Sequence, residues 1–484
     1  MDKQNGSYPP PQAISADEAA FRLPPPSYEE IMGVYQTSVK TEQQTSDIPP
    51  LAYIDIMPRC LKAGNIVGKV APTFDDYSAI VEAANRWLQD NPGLTVWKCE
   101  SIVRKLTPAK DGTIGYELNE MLRHDATFGF TVYIKGIRLW LMKRSNPGPP
   151  QQLGIKTVVP EKVTIEVPVN RYRHGRGRII IAGEVVQHLH TYTITTFEGF
   201  EDTMKRLQGK LAEDPIQGEV LTIETDNVKA YEGMQKDFDP ESTCWSENKD
   251  KSQRNTQVIR IFYVKGSPKR EEIGYTEIIP DVIEQPESAT KQGKFETFDN
   301  VIVSLSQWVS KNQGLRVVNI QQYDANVKTS LLSGGKLTIS QDSTDDMVSS
   351  FSQRRMARIL RVFHTKAASS GVSPSSVTSR LFLPARTGRK AFESMTQTME
   401  RIDAWLRVTG VRIYSVETVE LLFSENNPCG TDYIRSEYTV HALSGKHWLT
   451  AIRVYFCGAY TEPDPALLPP LPEFKTGSSS CSIL

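Results

Sequence analysis

Ile137-Arg138-Leu139-Trp140 returns as Ile259-Arg260-Ile261-Phe262, as Leu360-Arg361-Val362-Phe363 and as Ile452-Arg453-Val454-Tyr455. The shared form is [IL]-R-[LIV]-[WFY], an arginine set between apolar residues in a strand-like run. These arginines lie 64, 63, 66 and 61 residues after the phenylalanine of a second landmark, F-[DE]-x-[YFM]. Its copies are Phe74-Asp75-Asp76-Tyr77, Phe197-Glu198-Gly199-Phe200, Phe295-Glu296-Thr297-Phe298 and Phe392-Glu393-Ser394-Met395. This reads as a helix opening: the acid suits the first turn, Thr73 and Thr196 are suitable N-caps, and the i, i+3 pair shares one face. Thirteen residues after each Phe come Trp87, Lys210, Trp308 and Trp405. Gly93-Leu94 and Gly314-Leu315 read as helix ends. A third landmark is a short strand closed by proline, at Ile56-Met57-Pro58, Glu166-Val167-Pro168, Ile278-Ile279-Pro280 and Phe382-Leu383-Pro384. Proline is tolerated where a strand stops.

Three landmarks in the same order, four times over, define a tandem repeat. The expected fold class is α+β, with four strand–helix–strand modules in a string, flanked by disordered tails. The boundaries read as a tail over 1–50, modules over 51–147, 160–268, 272–368 and 378–460, and a tail over 461–484. Pro147–Pro150, Gly266–Pro268 and the Ser-rich 369–379 read as linkers. The repeated Trp and Phe positions are expected in the core. The repeated arginines alternate with apolar neighbours, which points them away from the core to a solvated or aromatic-stacked face, with a phosphate-binding row as the alternative. The second module carries an insertion with four arginines, Arg171, Arg173, Arg176 and Arg178. They are candidates for lipid-headgroup or RNA-phosphate contact, and equally for a solvated hairpin tip.

Each tail carries a linear motif. The first 50 residues are rich in Pro, Gln and Ser and include Pro25-Pro26-Ser27-Tyr28, a PPxY motif. Consecutive prolines preset polyproline II for an aromatic-lined WW groove, and Pro25, Pro26 and Tyr28 are the expected contacts. The implied partners are WW-domain proteins of the HECT-type ubiquitin ligase class. The chain closes on Cys481-Ser482-Ile483-Leu484, a C-a-a-X box whose Leu favours geranylgeranylation of Cys481 in a eukaryotic cytosol. A prenyl group there would bring the protein to the cytoplasmic face of a membrane. Leu468-Pro469-Pro470-Leu471-Pro472 lacks a Tyr and reads as a spacer.

Net charge is −1, but the tails carry −4 (1–50) and −2 (461–484), leaving a mildly basic body of +5. Six cysteines without CxxC spacing argue against a disulfide framework or a zinc site. The N-terminus is not a signal peptide, and no apolar run reaches membrane-spanning length. Ser333-Gly334-Gly335-Lys336 lacks the rest of a P-loop and reads as a hairpin turn. His188 and His190 share a strand face without a third metal ligand in reach. No cofactor, metal or catalytic constellation is indicated.

The helix Phe74-x-x-Tyr77-Ser78 with Trp87 thirteen residues after the Phe, together with a PPxY tail, resembles rhabdovirus matrix proteins of the vesiculovirus type. The resemblance covers that helix and the tail motif directly, and the rest through the internal repeat. It departs from the family in having four modules, an acidic tail and a C-a-a-X box. It implies a non-enzymatic scaffold that self-associates at a membrane and recruits ubiquitin ligases for budding or vesicle release; nucleic-acid binding is an expectation of the arginine run alone. The alternative is a prenylated trafficking adaptor linking cargo to a HECT-type ligase.

Overall fold

The computed structural model describes residues 50–474, less 169–190 and several short loops. The described residues are mostly β-strand, 54%, and include four α-helices in a four-blade, propeller-like arrangement. This corrects the α+β reading. The helices are where the landmarks put them: α1 Tyr77–Asp90, α2 Phe200–Glu213, α3 Phe298–Lys311 and α4 Met395–Thr409. The sequence reading underestimated the strands. The two long strands that follow each helix run 10–17 residues. They are rich in β-branched and aromatic residues, which favour a pleated, half-buried surface.

Each blade has three strands of its own. The middle strand is the one with the repeated arginine: Phe130–Lys143, Gln253–Lys269, Arg354–Lys366 and Lys446–Cys457. Its first flank is an inner strand: Leu94–Pro108, Ile216–Lys229, Leu315–Ser330 and Ile413–Leu422. Its other flank is an outer strand: Ala52–Ile56, Leu153–Val158, Glu272–Ile278 and Val377–Phe382. All these pairings are antiparallel.

The outer strand covers only the second half of the middle strand. A short strand from the next module covers the first half. Cys244–Asn248 of module 2 pairs with Phe130–Ile134 of module 1. Asp345–Val348 of module 3 pairs with module 2, and Glu437–Val440 of module 4 pairs with module 3. Leu122–Asp125 of module 1 pairs with Lys446–Leu449 of module 4 and closes the circle. The donated segments also satisfy helix starts, whose first amides lack intrahelical partners. The Tyr77, Phe298 and Met395 amides donate to Glu241, Ile434 and Asn119 carbonyls of the following module.

The hydrophobic cores are shared in the same sense. Period-2 alternation sends Ile137 and Leu139 to their own helix and Arg138 and Trp140 to the neighbour. Trp140 enters the core of module 4, Phe262 that of module 1, Phe363 that of module 2 and Tyr455 that of module 3.

Several local expectations are corrected. The proline-closed strand of module 2 is Thr157-Val158-Val159-Pro160, because Thr157 pairs with Arg260 as Asp55 pairs with Arg138. Glu166-Val167-Pro168 belongs to a separate hairpin, Lys162–Pro168 with Thr191–Phe197, which brackets the arginine-rich insertion. Gly266–Pro268 is not a linker but part of a middle strand. The helices start at the second landmark aromatic, so their N-caps are Asp76, Gly199, Thr297 and Ser394 rather than Thr73 or Thr196. The landmark acids precede the helix, and two of them reach forward to an arginine one turn in: Glu198 to Arg206 and Glu393 to Arg401. The α1 and α3 C-caps are Asn91 and Asn312, each ahead of the expected glycine.

Candidate functional site: the ring axis

The four inner strands face one another around the axis, and equivalent positions form tiers. In blade register the four arginines stand opposite Glu100, Glu224, Gln321 and Glu417. Each of these side chains accepts a hydrogen bond from a backbone amide of the preceding module. Glu224 accepts from Ser101 N at 3.0 Å, Gln321 from Thr225 N at 2.8 Å, Glu417 from Gln322 N at 2.6 Å and Glu100 from Thr418 N at 3.0 Å. Each donor is the residue just after the neighbour's own acceptor. The four bonds therefore close a circular girdle.

The arginines pack outside this girdle. Arg138, Arg260 and Arg361 are fully buried, and Arg453 is 4% exposed. Of the solvated or aromatic-stacked face expected of them, the aromatic-stacked one is found, and it lies in a module–module interface. Arg260 stacks 3.7 Å from the Tyr77 ring of module 1, Arg361 3.7 Å from Phe200 of module 2, and Arg453 4.1 Å from Phe298 of module 3. At the closing joint α4 offers Met395, and Arg138 instead stacks on Tyr53 at 4.4 Å. Each guanidinium also has a carboxylate: Asp55 for Arg138, Asp226 for Arg260, Glu277 for Arg361 and Glu417 for Arg453. Pairing offsets the cost of burying charge.

Burial pushes the Glu224 carboxyl up to about 7, and the nearby Asp226 charge adds to this against the pull of Ser101 and Arg260. Burial likewise raises Glu417. Burial also opposes ionisation of Asp226, but Lys135 and Arg260 hold its pKa below the usual range.

Two residues before the girdle, each inner strand has a second tier: Lys98, Thr222, Asn319 and Ser415. A β-bulge precedes each of them, between Val96 and Lys98, Val220 and Thr222, Val317 and Asn319, and Ile413 and Ser415. A bulge bends its strand by setting one extra residue into it. The four bulged residues, Trp97, Leu221, Val318 and Tyr414, line a cavity of 740 Å³ at this end of the axis. Gly218 allows the close approach on one wall. Its φ is +151°, and a Cβ there would lie 1.8 Å from the Val264 carbonyl oxygen.

Lys98 is 3% exposed on the cavity lining. Its ammonium donates to Ser415 Oγ at 3.1 Å and to the Val416 carbonyl. Burial lowers its pKa, partly countered by the charges of Glu100, Glu417 and Glu224. Asn319 is 4% exposed and spends its amide nitrogen on the Ile223 carbonyl, while its Oδ1 has no hydrogen-bond partner. Arg316, Lys265 and Lys269 also line the cavity, with Glu219 as the one carboxylate.

The sequence-predicted site residues Pro25, Pro26, Tyr28, Arg171, Arg173, Arg176, Arg178 and Cys481 lie outside the described residues, as do His188 and His190. Among the described residues no His/Cys/Asp/Glu group could hold a metal ion, and no helix is long and apolar enough to cross a membrane. The girdle and Lys98 were missed because one column of the repeat was not aligned. Glu100, Glu224, Gln321 and Glu417 precede their arginines by 38, 36, 40 and 36 residues, a recurrence the sequence carries.

The fold class is thus a closed, four-blade β-ring with a basic axial cavity. Neither the protein-family models, nor the curated proteins, nor the solved structures that were searched contain a match to this chain.

Proposed function

We propose that this protein is a non-enzymatic, lipid-anchored scaffold that works at the cytoplasmic face of a membrane, where it recruits WW-domain ubiquitin ligases of the HECT type for budding or vesicle release. Geranylgeranylated Cys481 supplies attachment and Pro25-Pro26-Ser27-Tyr28 supplies recruitment. The resemblance to rhabdovirus matrix proteins fits this reading, whether in a virus or in a host protein derived from one.

The observation that carries it is where the two tails begin. Leu51 is buried in the cluster formed by α4, Phe382 and Trp140, at the joint where module 1 closes on module 4. Tyr460 and Leu468 pack on the same cluster, and Trp405 Nε1 donates to Glu462 at 3.1 Å. The described chain therefore starts and stops against one joint of the ring, with 23 residues from Tyr28 to Leu51 and 13 from Leu468 to Cys481. A ligase bound at one tail is held close to a membrane bound at the other. One prenyl chain binds membrane only marginally, so self-association or a further membrane contact has to add to it.

The test compares membrane and extracellular-vesicle fractions of cells making each variant. Cys481→Ser is expected to leave the membrane fraction. Tyr28→Ala is expected to stay on the membrane and to be lost from vesicles. A wild-type protein that never enters vesicles would replace this reading with the trafficking adaptor. Unchanged membrane binding by Cys481→Ser would remove the anchor.

A further inference from the structure

The axial cavity brings together features that a merely structural channel does not need. Four cationic side chains and a single carboxylate line it. Glu219 is engaged by Lys269 at 2.7 Å, and Arg316 reaches Glu271 at 2.7 Å. Lys98 and Lys265 remain without a carboxylate on the cavity wall. The Lys98 ammonium is desolvated, and its two protein partners are neutral oxygens, although an ammonium has three donors. Across the ring on the same tier, Asn319 Oδ1 is a buried acceptor with no donor. An unsatisfied buried acceptor costs about 1–3 kcal/mol, and such a group calls for a partner.

We propose that the axial cavity is a binding site for a small phosphorylated polyol, an inositol phosphate or sugar phosphate. Phosphate oxygens accept from Lys98 at the floor and from Lys265 and Arg316 nearer the mouth. A polyol hydroxyl donates to Asn319 Oδ1. The volume of 740 Å³ suits a ligand of this size and is too large for a lone carboxylate. Several cations spread over one cavity select several anionic groups on one ligand. Because all four modules line the cavity, the ligand binds only the closed ring and stabilises it by linkage. This inference does not rest on the tail motifs.

Two sources carry this chemistry: a soluble inositol or sugar phosphate, and a phosphoinositide headgroup at a membrane. The test uses the full chain without its lipid. Inositol hexakisphosphate is titrated by calorimetry and thermal unfolding. In a parallel arm, the protein is sedimented with phosphatidylcholine vesicles, with and without phosphatidylinositol bisphosphate. The expected result is saturable binding that raises Tm. Lys98→Met should weaken it about tenfold or more, as loss of a hydrogen bond to a charged group implies. Lys265→Ala, on an exposed side chain that does not endanger folding, should weaken it severalfold. Sedimentation that depends on both lysines assigns the headgroup as the source, and binding of the soluble compound alone assigns the free phosphate. Absence of binding in both arms overturns the proposal, and so does binding that survives both substitutions.

Discussion

The junction between modules 1 and 2 and the junction between modules 2 and 3 use one geometry with different chemistry. At the first, Glu224 accepts from Ser101, Arg260 stacks on Tyr77, and Phe262 enters the core of module 1. At the second, Gln321 takes the place of Glu224, and its side-chain amide both accepts from and donates to the Thr225 backbone. Arg361 stacks on Phe200, and Phe363 enters the core of module 2. The girdle therefore needs an acceptor aimed at a buried amide, and a charge is optional. Where a carboxylate supplies it, desolvation makes the junction sensitive to pH. Where an amide supplies it, the girdle position itself has no proton to gain or lose.

The largest expected effect tests what the junctions share. Phe262→Ala and Phe363→Ala each empty a site in the preceding module's core, at a cost of about 3–5 kcal/mol. Since neighbouring modules share cores, urea unfolding of either variant should remain one transition of the whole ring. A separate early transition for one module would break the shared-core account.

The arginines should differ next. Arg361→Met leaves the largely buried Glu277 carboxylate, 10% exposed, without its cation, at a cost of about 3 kcal/mol. Arg260→Met should cost less, because Lys135 still holds Asp226 at 2.6 Å. Midpoints from equilibrium urea denaturation give the order, and the reverse order would show that stacking outweighs charge pairing here.

The girdle itself separates the junctions by pH. Below pH 4.5 Glu224 is protonated whether the chain is folded or unfolded. Between 4.5 and about 7 the folded chain keeps a proton that the unfolded chain has lost. Stability therefore falls as pH rises through this window, by roughly 3 kcal/mol for a shift of this size. Glu224→Gln should remove this slope from the wild-type profile, and Gln321→Glu should add one of the same sign. Parallel profiles for wild type and Glu224→Gln would show that Glu224 stays ionised throughout.

The smallest contrast lies at the helix flanks. Asn85 of α1 exchanges two hydrogen bonds with the Leu153 backbone, at 2.9 and 2.6 Å. Gln208 of α2 makes one to the Ile273 carbonyl, at 2.8 Å. Asn85→Ala should cost about 1–3 kcal/mol and Gln208→Ala about 1 kcal/mol or less, read from thermal midpoints. Equal losses would mean that the second bond contributes nothing.

Much of the repeat was legible in the chain. The spacing from Phe74 to Arg138 and its three copies located the four described α-helices and the four middle strands. The alternation around Arg138, Arg260, Arg361 and Arg453 correctly set these side chains opposite their own helix. It could not say what covers that face, because a strand pattern is the same against water and against a neighbour. The Thr157–Pro160 strand end was passed over because Glu166-Val167-Pro168 matches the same pattern, and only pairing with Arg260 separates them. The cavity was invisible for a similar reason. Lys98 in Val96-Trp97-Lys98-Cys99-Glu100 reads as an ordinary alternating strand, and the bulge at Trp97, on the cavity lining, is a property of the ladder.

By itself the sequence determined that there are four copies of one unit, which stretch of each is helical to within a turn, and which two tail motifs flank them. These are local facts, set by periodicity, by turn chemistry and by short motifs read along the chain. Only the tertiary structure decided that the four units close into a ring instead of forming a string. Closure depends on strands donated between modules about a hundred residues apart and, at the last joint, on Leu122–Asp125 meeting Lys446–Leu449 across most of the chain. Neither segment is long enough to name its partner. What selects the pairing is the simultaneous burial of four arginines, four aromatic rings and four girdle acceptors, a condition that no single stretch of sequence expresses.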